Sequence, residues 1–240
     1  EQVFLSLRNV SDGGKLSDIS VDVHSGEVLG ISGLLGSGQS ELAQIFAGAR
    51  ERQSGDILVD GRNVTYRSPS EAILCGVGYL PQDRKSHGFV PEMSVAQNIT
   101  LANLSGFSRL GFIREGAEKE RAGGLAKRLA MRISGIDQAM GTLSGGTQQK
   151  AILARWLVRS SRALICDEPT RGVDVEAKEE VYELLRDFAS NGGTVVIASS
   201  ELSEALMCDR VLVMARGQIV AELDHSEIDP DGHAIMKYYA

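Results

Sequence analysis

Gly33-Leu34-Leu35-Gly36-Ser37-Gly38-Gln39-Ser40 is the stretch whose reading decides the fold. The apolar run before it, Val28-Leu29-Gly30-Ile31-Ser32, reads as a buried strand. After it, Leu42, Ile45 and Phe46 recur at helical spacing, and Gly48 supplies a stop. A glycine loop between strand and helix is the setting of a phosphate-binding loop. Its backbone N–H groups point inward, and the helix start adds partial positive charge. Ser40 stands where such a motif carries the hydroxyl that ligates Mg²⁺. Position 39 departs from the motif, which has Lys there. The amide of Gln39 can donate a neutral hydrogen bond, about 0.5–1.5 kcal/mol, against roughly 1.5–3 for a charged one. Weak triphosphate binding follows. Taken alone, the stretch reads equally well as a glycine-rich turn.

On the N-terminal side, Val3–Leu7 and Ile19–Val23 alternate as short strands around an Asp12-Gly13-Gly14 turn. On the C-terminal side, Gly55–Val59 reads as a strand entering an Asp60-Gly61 turn, so an antiparallel layer beside the loop is expected. Ser68-Pro69-Ser70-Glu71 starts a helix that ends near Gly76, and Val77–Leu80 is a short strand. Residues 94–141 change character. Ser94–Ile99 and Arg114–Arg132 are helical and rich in charge, with Gly123-Gly124 expected to interrupt the second. Residues 91–141 are thus expected to form a helical subdomain inserted into a core made of 1–90 and 142–240. Beyond residue 160, the strand runs Arg162–Cys166, Thr194–Ala198 and Arg210–Met214 alternate with helices at Glu176–Ser190 and Ser203–Met207. That alternation predicts parallel strands covered by helices, an α/β fold.

Composition narrows the function classes. The 240 residues suit one α/β domain with a small subdomain. A net charge of -7 gives no general attraction to nucleic acid. Cys75, Cys166 and Cys208 are odd in number and far apart, as expected of buried small hydrophobes in a reduced compartment. No apolar run approaches the ~20 residues of a membrane helix. The missing initiator Met suggests a fragment of something longer.

Two further motifs carry chemistry. Ala163-Leu164-Ile165-Cys166 is an apolar strand ending in Asp167-Glu168. Paired acids there are costly unless compensated. Beside a phosphate loop, the first would hold Mg²⁺ and the second would orient or deprotonate an attacking water. The plainer alternative is a capped strand end. Leu143-Ser144-Gly145-Gly146-Thr147-Gln148 precedes the helical run Ala151–Trp156 and reads as a second helix-start anion site, or as a plain N-cap.

Taken together and in order, these motifs resemble the nucleotide-binding domain of an ATP-binding cassette (ABC) ATPase: a P-loop NTPase core of ABC type with an antiparallel β subdomain and an inserted helical subdomain. The resemblance covers nearly the whole chain. Gly33–Ser40, followed by Glu41, matches the Walker A loop: Gly33, Leu34, Leu35, Gly36, Ser37, Gly38, Gln39, Ser40 and Glu41 would bind nucleotide. Gln82 matches the Q-loop glutamine, Leu143–Gln148 the signature, Asp167-Glu168 the Walker B acids, and Gly172-Val173-Asp174 the D-loop. More narrowly, Asp83-Arg84-Lys85, the signature stretch through Lys150, and Asp167–Val175 resemble the C-terminal cassette of bacterial ribose/galactoside-type sugar importers, which carry two cassettes in one polypeptide.

The resemblance implies ATP and Mg²⁺ as cofactors, with Ser40, Gln82 and Asp167 around the metal, and a catalytic set of Glu168 as base, Gln82 reaching the attacking water, and Ser200 in the switch position. It implies a second cassette, upstream in the same polypeptide, transmembrane permease subunits and, indirectly, a periplasmic solute-binding protein. The place would be the cytoplasmic face of the bacterial inner membrane. Three departures stand out: Gln39 for Lys, Ser200 at the switch-histidine position, and no adenine-stacking ring in Ser11–Lys15. In the family two cassettes pack head to tail, each ATP lying between one Walker loop and the other signature. The departures therefore imply a degenerate half-site whose signature serves the partner's ATP. The loop Gln82–Val90 is expected to be mobile, with Arg84, Lys85 and His87 facing outward to a permease. Two competing readings are a soluble ABC ATPase acting on nucleic acid or ribosomes, and a nucleotide-sensing module that never turns over. Only about sixty residues separate Gln82 from Leu143, too few for the long coiled-coil insertion expected of the first. Hydrolysis by isolated protein separates the second.

Overall fold

The computed structural model describes residues 2–239. In chain order the strands are β1 (Val3–Ser11), β2 (Ile19–His24), β3 (Val28–Gly33), β4 (Ser54–Val59), β5 (Arg62–Val64), β6 (Val77–Leu80), β7 (Ser108–Arg109), β8 (Phe112–Ile113), β9 (Ala163–Asp167), β10 (Thr194–Ser199), β11 (Arg210–Ala215) and β12 (Gln218–Asp224). The helices are α1 (Gln39–Phe46), α2 (Pro69–Leu74), α3 (Val95–Thr100), α4 (Leu104–Phe107), α5 (Glu115–Arg128), α6 (Gly145–Arg159), α7 (Val175–Ser190), α8 (Leu202–Ala205) and α9 (His233–Met236). They fall into two compact units. The first holds the described residues up to Gln82, Arg162–Pro169, and the chain from Leu185 onward; the second holds Asp83–Ser161 and Thr170–Leu184.

The first unit contains two sheets. One runs β12-β11-β3-β10-β9-β6. Its strands are parallel except β12, which returns antiparallel along β11. Every residue of β3, β9 and β10 is buried, which is why these strands read as continuous apolar runs rather than alternating ones. The other sheet, β2-β1-β4-β5, is antiparallel, as the Asp60-Gly61 turn predicted. Phe4, Leu5 and Leu7 of β1, Leu29 and Ile31 of β3, and Leu42, Ile45 and Phe46 of α1 belong to one buried cluster. The helical spacing read from α1 is therefore its core face. Ser68 caps α2, accepting from the N–H of Glu71 at 3.4 Å.

The second unit is mainly helical. Ser94 opens α3 with a reciprocal capping box to Gln97. In α3 the carboxamide of buried Asn98 donates to the carbonyls of Val90, Met93 and Ser94. Two expectations fail here. Helix α5 runs unbroken through Gly123-Gly124. Its face of Ala122, Leu125 and Ala126 is buried, and that packing outweighs two poor helix formers. The segment after Gln82 also does not present all its charges outward. Residues Arg84–Gly88 form one turn of π-helix, capped by Asp83. Lys85 and His87 are exposed, but the guanidinium of Arg84 turns back onto the carbonyls of Arg171 and Gly172.

Candidate functional site: a phosphate loop beside paired acids

The parallel register decides which side chains meet. Strand β10 pairs with β3 on one side and β9 on the other, with Ser199 opposite Ser32 and Ala198 opposite Asp167. The carboxyl ends of three neighbouring strands therefore deliver the glycine loop, the paired acids and Ser199-Ser200 to one edge of the sheet. Ligands of open α/β sheets bind at such an edge.

The loop has the backbone its glycines permit. Gly38, the residue before α1, sits at φ +115°, a conformation that side chains with a Cβ rarely adopt. The first-turn N–H groups of Gln39, Ser40 and Glu41 have no backbone acceptor among the described residues. Such orphan donors are what an anion binds. Leu34 and Leu35 are exposed at the loop's outer edge, 55% and 86% accessible.

Gln39 does not point out of the loop. It is buried, and its amide donates to the carbonyls of Gly33 at 3.1 Å and Leu34 at 3.2 Å, while its Oε1 accepts from the Ser37 hydroxyl at 2.6 Å. Its hydrogen bonds are all turned inward, so the residue braces the loop.

Ser40 and Asp167 lie 127 positions apart in sequence, yet the Ser40 hydroxyl donates to Asp167 Oδ1 at 2.7 Å. Tyr79 of β6 donates to Oδ2 at 3.3 Å. Burial pushes the Asp167 carboxyl up to about 6, the charges of Glu168 and Glu41 adding to it and the two hydroxyl donors opposing it. A hydroxyl and a buried carboxylate form a hard-oxygen set that suits Mg²⁺, and a cation would relieve the excess of negative charge. Gln82 follows the carboxyl end of β6, the strand beside β9.

Glu168 sits just past β9 at φ +49°. Its carboxylate accepts from Ser199 Oγ at 3.1 Å, from the Ser200 N–H at 2.9 Å and from Ser200 Oγ at 2.8 Å. Residue 200 therefore engages the second acid directly. At the turn that offers no stacking ring, the structure has a polar lock instead. The Asp12 carboxylate accepts from the N–H groups of Gly14 and Leu16 at 2.9 and 2.7 Å and pairs with Arg50 at 2.6 Å. Lys15 pairs with Glu41 at 2.6 Å.

The remaining candidates belong to the second unit. Ser144 caps α6, its hydroxyl accepting from the Thr147 N–H at 3.4 Å. Leu143, Gly146, Thr147 and Gln148 are buried, while Ser144 is exposed. Gln148 donates to the carbonyls of Leu143 and Met140. In the stretch Gly172-Val173-Asp174, Val173 N–H bonds to Thr170 O, and Asp174 accepts from Ala177 N–H at the start of α7. Gly172 has φ +67°.

Sequence reasoning missed Tyr79, the inward turn of Arg84 and the Asp12–Arg50 lock. Strand alternation carries a weak signal for Tyr79, since β6 is short and its neighbour unknown from sequence. Nothing local marks the other two.

The fold and this site define an ATP-binding cassette. The sequence family described as ABC transporter matches residues 16–171, and the chain belongs to that family. Among curated relatives, it is 44% identical over 230 residues to the ribose import ATP-binding protein RbsA of Rhodococcus jostii, covering 95% of this chain and 46% of that protein. It is 42% identical over 223 residues to RbsA of Corynebacterium glutamicum, covering 92% and 43%. The chain thus spans about half the length of the curated relatives it matches. Among solved structures, cbiO1 from Clostridium perfringens, part of the ABC transporter complex cbiONQ, superposes with a TM-score of 0.78 at 27% identity over 95% of this chain and 90% of that one. The dimeric ATP-binding cassette MJ0796 bound to ADP and Pi gives 0.78 at 22% identity over 92% and 98%, a likeness of fold. Among the described residues, no helix is long and apolar enough to cross a membrane.

Proposed function

We propose that this chain is an ATP-hydrolysing cassette of a carbohydrate importer, peripheral to the cytoplasmic face of the inner membrane, working with a second cassette, permease subunits and a solute-binding protein. The observation that carries the reading is the convergence of Ser40, Asp167 and Glu168 at the mouth of the Gly33–Glu41 loop, in a chain so similar to ribose import ATP-binding proteins. ATP would lie with its phosphates on the N–H groups of the loop and of the first turn of α1. Ser40, Asp167 and Gln82 would hold Mg²⁺, which would supply positive charge to the phosphate oxygens. Glu168 would orient the attacking water and accept its proton as the water oxygen bonds to the terminal phosphorus, the bridging P–O bond breaks and ADP leaves.

We further propose that this is the weaker half of an asymmetric pair. Support comes from Gln39, which brings no charge and spends its amide inside the loop, and from Ser200, which with Ser199 holds Glu168 through three donors. Ser144–Gln148 would complete the partner cassette's ATP site. Calorimetry of the isolated chain with Mg-ATP tests the half-site reading. Affinity weaker than about 1 μM and turnover below about 1 s⁻¹ are expected. Tighter binding or faster turnover contradicts it.

A further inference from the structure

The guanidinium of Arg84 ties three functional segments of the second unit together. Its Nη1 donates to Arg171 O, its Nη2 to Gly172 O at 2.9 Å, and its Nε to Gln148 Oε1 at 3.4 Å. Gly172 opens the D-loop and Arg171 immediately precedes it, and Gln148 lies in the first turn of the signature helix α6. The packing is close. A Cβ added to Gly145 would sit 2.6 Å from Arg84 Nη2 and 2.9 Å from Gly172 O, so only glycine leaves room for the pair. At the far end of the same π-turn, Arg155 of α6 donates to Gly88 O at 2.8 Å and to Asn98 O at 2.8 Å. Both arginines bond to neutral oxygens, so each acts through the directions of its fork more than through an ion pair. Lys, a point charge on a flexible stem, cannot reproduce that fork.

We propose that Arg84 is a positioning residue, the clamp that fixes the signature start and the D-loop to the turn following Gln82. This rests on the ATPase reading above, because the clamped segments matter only if they face nucleotide in the assembled cassette pair. A displacement of the turn would then be carried to the signature and the D-loop together.

The test compares Arg84→Gln and Arg84→Lys, with Glu92→Ala, at an exposed position of the same unit, as control. Amide hydrogen exchange is read on the chain itself, and ATP hydrolysis on the assembled transporter. In both Arg84 variants, exchange at Gly145–Gln148 and Gly172–Asp174 should rise about tenfold or more with the melting temperature nearly unchanged, because only a local clamp is lost. In the transporter kcat should fall about tenfold or more, with KM for ATP within about twofold of the original. Unchanged exchange overturns the proposal. So does normal kcat despite faster exchange, which would leave Arg84 a structural residue only. Full rescue by Arg84→Lys would overturn the fork geometry. If the unaltered transporter hydrolyses no ATP, the ATPase reading fails, while the exchange experiment still reports on the clamp.

Discussion

At the scale of single residues, the most informative position is 39. The sequence shows that Lys is absent, but not where the replacing amide goes. Gln39 bonds to Gly33 O, Leu34 O and Ser37 Oγ, so the loop is braced by its own side chain. Gln39→Lys should strengthen Mg-ATP binding by about 1–2 kcal/mol, supplying a charged donor where the Gln39 amide is spent on the loop's own carbonyls. Calorimetry checks this, and an unchanged affinity would mean that position 39 does not reach the phosphates. A second residue-scale prediction concerns Asp12. Burial alone would push its carboxyl up, but the N–H groups of Gly14 and Leu16 and the Arg50 guanidinium hold it below the usual carboxylate range. The folded value is depressed, so its stabilisation is present above the unfolded value, about 3.9, and is lost as pH falls through the folded one. Asp12→Asn should destabilise by about 1–2 kcal/mol at pH 7, and the gap should narrow in acid, at a pH well below about 3.9. Urea unfolding at both pH values measures it; an equal loss at each would contradict the assignment.

At the scale of elements, what was legible follows what is local. The strand, glycine loop and helix at 28–46 declare themselves because each signal lies within a few residues: an all-apolar run, glycines, then helical spacing. The capping of α2 by Ser68 is legible for the same reason. Contacts across the fold are not. The Ser40–Asp167 and Tyr79–Asp167 bonds depend on which strands are neighbours, and Arg84 turns inward because carbonyls of Arg171 and Gly172 are there to receive it. In helix α5 the local signal misleads. Gly123-Gly124 reads as a break, yet the buried face of Ala122, Leu125 and Ala126 carries the helix through. A Cβ at either glycine would meet nothing within 4 Å. Gly124→Ala should therefore raise stability by about 0.5–1 kcal/mol. A lower melting temperature would show that the helix needs the glycine.

At the scale of the whole molecule, the proposed function has this cassette serving transport more through its signature than through its own Walker site. Sugar uptake by the assembled transporter tests it, with each change carried separately. Ser144→Arg places a bulky side chain where the exposed cap of α6 would meet the partner's nucleotide, and removes a donor for charge developing there. Losing one such donor costs roughly 10²–10³ in rate, so uptake should be nearly abolished. On the same proposal Glu168→Gln would remove a base from the weaker of two sites, and uptake should fall only modestly. If Glu168→Gln is the more damaging of the two, the asymmetric assignment is wrong, and this chain's own Walker site is the working one.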